Sequence, residues 1–203
     1  IWGYLMKGEE KAVRGDEPLT DLCYFCASVA PTGRMKGTCL RPQIPWKGKT
    51  PPRVHMVVAV LNNPALMRKC LDPVSPVRDL LLKDIVKAAE PFNGVQIDFE
   101  SLPASETVPY VAFLTELRAR LKPGTILSAA IPARRKRGND AYDYGAIAAV
   151  VDRVVVMAYD QHWKTSPPGP VASLPWCREV LQYARSAVPL EKLIMGLPLY
   201  ARA

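Results

Sequence analysis

Short apolar runs recur along the chain at residues 1–5, 22–29, 54–61, 94–99, 126–131, 154–158 and 193–199. Most are β-branched or continuously apolar, as in strands buried on both faces of a parallel sheet. Between several of them the apolar period becomes helical. Ser75-Pro76 supplies an N-cap and a proline at the first helical position. The stripe Val77, Leu80, Leu81, Ile85 and Ala89 follows, and Pro91 ends it. A second helix is predicted over 106–121, with Val108, Val111, Leu114, Leu117 and Leu121 inward and Pro123-Gly124 as its stop. A third follows Ser173 and carries Trp176, Val180, Leu181 and Ala184. A shorter one is predicted over 144–151. Residues 30–53 are rich in Pro and Gly, lack a helical period and read as a long loop, a class often functional in compact domains.

Strand, helix, strand, repeated, is the βαβ pattern of an α/β protein. Right-handed crossovers lead to a closed (β/α)8 barrel or an open doubly wound sheet. No Gly-rich phosphate loop follows the first strand, which argues against a nucleotide-binding open sheet. Seven strands are legible, whereas a full barrel needs eight. The expected fold is therefore a (β/α)8 TIM barrel, truncated or incomplete after the seventh strand.

The 203 residues suit one domain, and with 49% apolar and 23% charged residues they support a packed core rather than disorder. No apolar run reaches the ~20 residues of a membrane span. No signal or transit peptide is legible at the start, so the chain reads as a mature product or an excised domain. Net charge is +8, with Arg134, Arg135, Lys136 and Arg137 in one cluster. A basic surface favours anionic partners. The cluster lacks interleaved aromatics and any nucleic-acid motif, so a nucleic-acid partner is not expected. The five cysteines are Cys23, Cys26, Cys39, Cys70 and Cys177. Cys23-x-x-Cys26 lies in a strand-like run where i and i+3 face opposite sides. No second pair completes a zinc site, and His55 and His162 are isolated. Buried thiols are expected, with no metal.

Within the fourth run, Val95-Gln96-Ile97-Asp98-Phe99-Glu100 alternates strictly between apolar and polar. Side chains at i, i+2 and i+4 of a strand share one face, so Gln96, Asp98 and Glu100 line up, with the two carboxyls roughly 6–7 Å apart. One pKa is then pushed up, as a general acid requires. A half-buried strand with a wet acidic face is the plainer reading. In α/β barrels chemistry sits at the C-terminal ends of strands. Asp98 and Glu100 end the fourth strand, Tyr159, Asp160 and Trp163 follow the sixth, and Tyr200 ends the seventh. Acids and aromatics on one rim suit a carbohydrate.

The segment Gly94-Val95-Gln96-Ile97-Asp98-Phe99-Glu100 resembles the Asp-Gly-x-Asp-x-Asp-x-Glu signature of glycoside hydrolase family 18. Met157-Ala158-Tyr159-Asp160 and Gly196-Leu197-Pro198-Leu199-Tyr200 resemble that family's sixth- and seventh-strand motifs. The stretch from Met157 to Tyr200 is most similar to the bacterial branch of spore-cortex-lytic and germination glycosidases. The resemblance implies that residues 1–203 are one catalytic barrel domain without its eighth βα unit. It implies a retaining hydrolase of β-1,4 linkages in N-acetylglucosamine polymers, with peptidoglycan favoured. A chitinase and a non-hydrolytic, lectin-like binder are the alternatives. It also implies substrate-assisted catalysis: Glu100 as acid and base, Asp98 and Tyr159 on the substrate's acetamido group, and Gln96, Asp160, Trp163 and Tyr200 in substrate binding. No cofactor is implied, and an extracytoplasmic location is. The chain departs from the chitinase form at Asn93 and Gln96, where that form has aspartates, and no eighth-strand tryptophan precedes the end.

Overall fold

The computed structural model describes residues 1–48 and 50–200. Seven parallel strands form one sheet: β1 (Trp2–Met6), β2 (Asp21–Val29), β4 (Arg53–Val60), β5 (Gly94–Phe99), β6 (Ile126–Pro132), β7 (Arg153–Met157) and β8 (Leu193–Gly196). The two-residue strand β3 (Met35–Lys36) pairs antiparallel with the end of β2. Parallel neighbours follow chain order without a reversal, β1-β2-β4-β5-β6-β7-β8. A doubly wound sheet has a switch point in its strand order, so the barrel alternative is the one observed. Among the described residues β1 and β8 are the two edges, leaving an open arc of seven of the barrel's eight strands.

The helices are α1 (Pro64–Leu71), α2 (Pro76–Ala88), α3 (Thr107–Arg120), α4 (Tyr144–Val150) and α5 (Leu174–Ala187). Side-chain caps set several starts: Ser75 accepts from Val77 N, Asp143 from Ala146 N and Ser173 from Trp176 N. Asn63-Pro64 caps α1 in the same way, a helix absent from the pattern reading although its cap is legible.

Two predicted faces need correction. In α3 the buried side chains are Tyr110, Phe113, Leu114 and Leu117, while Val108 is 78% exposed. The aromatics have more surface to bury than the valines and set the rotation of the helix. In α2, Leu82 is buried and Leu80 faces out.

The cysteine reading is corrected too. Cys26 and Cys39 form a disulfide with Cα atoms 5.1 Å apart, while Cys23 and Cys70 are buried thiols and Cys177 is half-buried. The register between β2 and β4 slips between Phe25 and Ala27, leaving Cys26 as the extra residue of a bulge. A bulge breaks the alternation of faces, so strict strand geometry misassigned Cys26. The loop over 30–53 is mostly irregular, as expected, and the disulfide ties it to the top of β2.

Parity along the strands stacks the inward side chains in layers. The lowest holds Trp2, Asp21 and His55. His55 Nε2 and the Arg53 guanidinium all reach the Asp21 carboxylate at 2.8–2.9 Å, and the Trp2 ring packs on His55. At this end Asn93 accepts from Val54 N and from Arg41 through its side chain. Asn93 therefore ties β4 to β5 at the bottom of the barrel, far from the strand tips.

Candidate active site

The site is built on the tip of β5. All six residues of β5 are buried, but on two different faces. Phe99 packs outward against Phe113 and Tyr110, with ring centroids 5.6 and 6.3 Å away. Its carbonyl accepts from the Tyr142 hydroxyl at 2.6 Å. With Phe99 held outward, pleating turns Asp98 and Glu100 inward. Glu100 keeps the register by donating its N–H to Val60 O.

Asp98 and Glu100 line one cavity of ≈ 440 Å³ together with Tyr159, Met6, Phe25 and Met157. Glu100 and Tyr159 also line a second, of ≈ 380 Å³, with Asp160, Gln161, Trp163, Arg134 and Trp176. The acid thus stands between two hollows along one rim. Burial pushes the Asp98 carboxyl up to about 7, reinforced by the Glu100 charge. Burial also raises Glu100, with the Asp160 charge as second cause. Both groups hold a proton more readily than solvated carboxyls. Burial likewise raises Tyr159, so its phenol stays a neutral donor.

Gln96 lies one layer below Asp98, fully buried and away from both cavity walls. Its amide donates to Ser128 Oγ at 3.3 Å, and the Tyr4 phenol faces it. Its amide oxygen and Asp98 Oδ1 are buried without a hydrogen-bond partner among the described residues. Tyr200 donates to Asp160 Oδ1 at 2.8 Å, and its ring meets Tyr159 edge-on at 6.4 Å. Trp163 is 54% exposed and donates through Nε1 to Thr165. The structure therefore gathers Asp98, Glu100, Tyr159, Asp160, Trp163 and Tyr200 at one rim and sets Gln96 beneath it.

Among the described residues three non-glycines take a left-handed backbone: Asn62 (φ 49°), Ser101 (φ 59°) and Asp160 (φ 54°). All three follow strand tips, and Ser101 and Asp160 directly follow Glu100 and Tyr159. Ser101 Oγ donates to Asn62 Oδ1 at 2.5 Å, holding the turns after β4 and β5 together. Strain of this kind clusters at functional sites.

Sequence reasoning missed Trp176 as a residue of the site. Trp176 stands in the first turn of α5, where the helix begins beside the strand tips. A bulky aromatic just past a βα-loop cap was the available signal, but it was absorbed into the helix stripe. Among the described residues no three His, Cys, Asp or Glu side chains gather as a metal set.

A parallel barrel arc with two carboxyls at one strand tip and aromatics around them defines a class: α/β-barrel proteins built to work on carbohydrate. The chain belongs to the glycosyl hydrolases family 18, whose model matches residues 78–203. It is 38% identical over 153 residues to the "Putative sporulation-specific glycosylase YdhD" of Bacillus subtilis, covering 72% of this chain and 34% of that protein. It is 30% identical over 203 residues to the cortical fragment-lytic enzyme of Bacillus cereus, covering 93% and 47%. The crystal structure of the Bacillus cereus spore cortex-lytic enzyme SleL superposes with a TM-score of 0.82 at 26% identity, covering 98% of this chain and 50% of that one. The chain thus spans between a third and a half of these relatives.

Proposed function

We propose that residues 1–203 are the catalytic barrel domain of a retaining glycoside hydrolase. Its substrate is a β-1,4-linked polymer containing N-acetylglucosamine, peptidoglycan in the first place. One observation carries this reading: Asp98, Glu100 and Tyr159 share a cavity at the strand tips, and both carboxyls lean toward the protonated form. In this scheme the substrate's own acetamido oxygen attacks the anomeric carbon, so no second carboxylate nucleophile is needed. Glu100 protonates the leaving oxygen and then takes a proton from water. Asp98 accepts from the acetamido N–H and steadies the positive charge that develops. Tyr159 donates to the acetamido carbonyl and keeps it in attacking position. Asp160 and Tyr200 shape the subsite, and Trp163 offers an aromatic face to a sugar ring. Gln96 lies one layer beneath the subsite, with its amide on Ser128 Oγ.

Two features favour a wall polymer. Two of the relatives above are named as cortical fragment-lytic and spore cortex-lytic enzymes, and the +8 net charge suits an anionic polymer. The disulfide favours an oxidising place of action outside the cytoplasm. No helix among the described residues is long and apolar enough to cross a membrane. The test is release of reducing ends from purified peptidoglycan and from chitin, by the wild type and by Glu100→Gln. The wild type should act on peptidoglycan faster than on chitin, and Glu100→Gln should lose at least a factor of about 10² on both. Equal product from wild type and variant would remove the hydrolase reading and leave a sugar-binding barrel. Faster action on chitin would move the substrate to that polymer.

A further inference from the structure

We propose that the basic loop after β6 is a subsite for a carboxylate carried by the glycan. This rests on the reading above, in which Glu100 cleaves a wall polymer. The loop is a built feature. Arg134 donates through Nε and Nη2 to Asp140 Oδ2 and through Nη1 to Ala133 O. Asp140 Oδ1 accepts from Tyr142 N. A Cβ on Gly138 would stand 2.7 Å from both Arg134 Nε and Asp140 Oδ2, so the loop closes tightly over that pair. Arg134 is thereby committed to the fold.

The remaining three cations are available. Arg135 and Arg137 reach Glu179 and Asp143 at 3.0 and 3.4 Å, with their side chains 61% and 79% exposed. Exposed pairs of this kind contribute little and exchange readily for another carboxylate. No carboxylate among the described residues lies within 4 Å of the Lys136 ammonium. These side chains and Trp176 line a hollow of ≈ 440 Å³. Its wall shares Ala133, Arg134 and Trp176 with the ≈ 380 Å³ cavity that holds Glu100 and Tyr159. A glycan seated at Glu100 therefore carries its neighbouring sugar past the Trp176 indole and its substituent toward the cations. One ammonium and two guanidinium forks suit a carboxylate. A lactyl ether on the sugar and an attached peptide stem both supply one.

The test compares oligosaccharides of one length: a neutral chito-oligosaccharide, a wall glycan with free lactyl carboxylates, the same glycan with those carboxyls reduced to alcohols, and a peptide-bearing glycan. The proteins are the wild type, the double variant Arg135→Ala/Lys136→Ala and the charge reversal Lys136→Glu, all changed at exposed positions. The ratio of kcat/KM on carboxylated over reduced glycan should fall at least fivefold in the double variant, mainly through KM, and further in the reversal. A drop confined to the free-lactyl glycan or to the peptide-bearing glycan supports the subsite and names its carboxylate. A ratio unchanged in both variants, or an equal loss on the neutral oligosaccharide, overturns it. If the wild type cleaves none of these, the catalytic reading fails instead. Direct binding of carboxylated against reduced glycan, wild type against double variant, then still decides the subsite by the same ratio.

Discussion

At the scale of single residues, Phe99 decides where the carboxyls go. It is fully buried against α3, and the two acids beside it in sequence are turned the other way by pleating. Phe99→Ala should lower stability by about 3–5 kcal/mol, read as a lower urea midpoint. It should also cut activity, because the β5 tip loses its anchor. Asp98 predicts a pH effect. The residue is 4% exposed, and its carboxyl pKa rises from 3.8 to about 7 on folding. Between those values the folded state binds more protons than the unfolded one, so stability falls as pH rises from about 4 to about 7. At about 1.4 kcal/mol per pKa unit the loss is on the order of a few kcal/mol. Urea midpoints across pH 4–8 should decline in the wild type and flatten in Asp98→Asn. An equal slope in both would show that Asp98 titrates normally.

At the scale of elements, two substitutions probe how neighbours define the strands. A Cβ on Gly94 would lie 2.3 Å from His55 Nδ1 and 2.7 Å from Ile126 O. The first residue of β5 must therefore be small because a buried histidine and the β6 backbone press against it. Gly94→Ala should destabilise by about 1–3 kcal/mol through overpacking, measurable by thermal melts, and His55→Ala should relieve part of that cost in the double variant. The disulfide pins the 30–53 loop to the bulge of β2. Cys39→Ser should cost about 2–4 kcal/mol, seen as a lower melting temperature that reductant does not lower further.

For the whole molecule, the arc of seven parallel strands puts every acid and aromatic of the candidate site at one end and the Asp21–His55–Arg53 cluster at the other. The two ends divide labour as α/β barrels do: chemistry above, cohesion below. The net charge is +8, and four of the cations line one hollow next to the candidate site. Binding to anionic wall glycan should weaken several-fold between low and physiological salt, while binding to neutral chito-oligosaccharide should change little. Salt-independent binding of both would mean that the charge plays no part in recognition.

Much of this was determined along the chain. The seven parallel strands, four of the five α-helices among the described residues and the Asp98–Glu100 pair are written in local periodicity, because pleat and helical turn act over a few residues. Caps such as Ser75 and Ser173 are local for the same reason. The rest depended on partners distant in sequence. In α3 the buried face is the one whose Tyr110 and Phe113 meet Phe99 of β5, a partner outside the helix. The pairing of Cys26 with Cys39 follows from a bulge in the β2–β4 register. The placing of Trp176 beside Glu100, with the hollow that Lys136 lines next to theirs, follows from three separate βα-loops meeting at one rim. Periodicity records which face of a segment is apolar; only packing decides what that face, or its opposite, will meet.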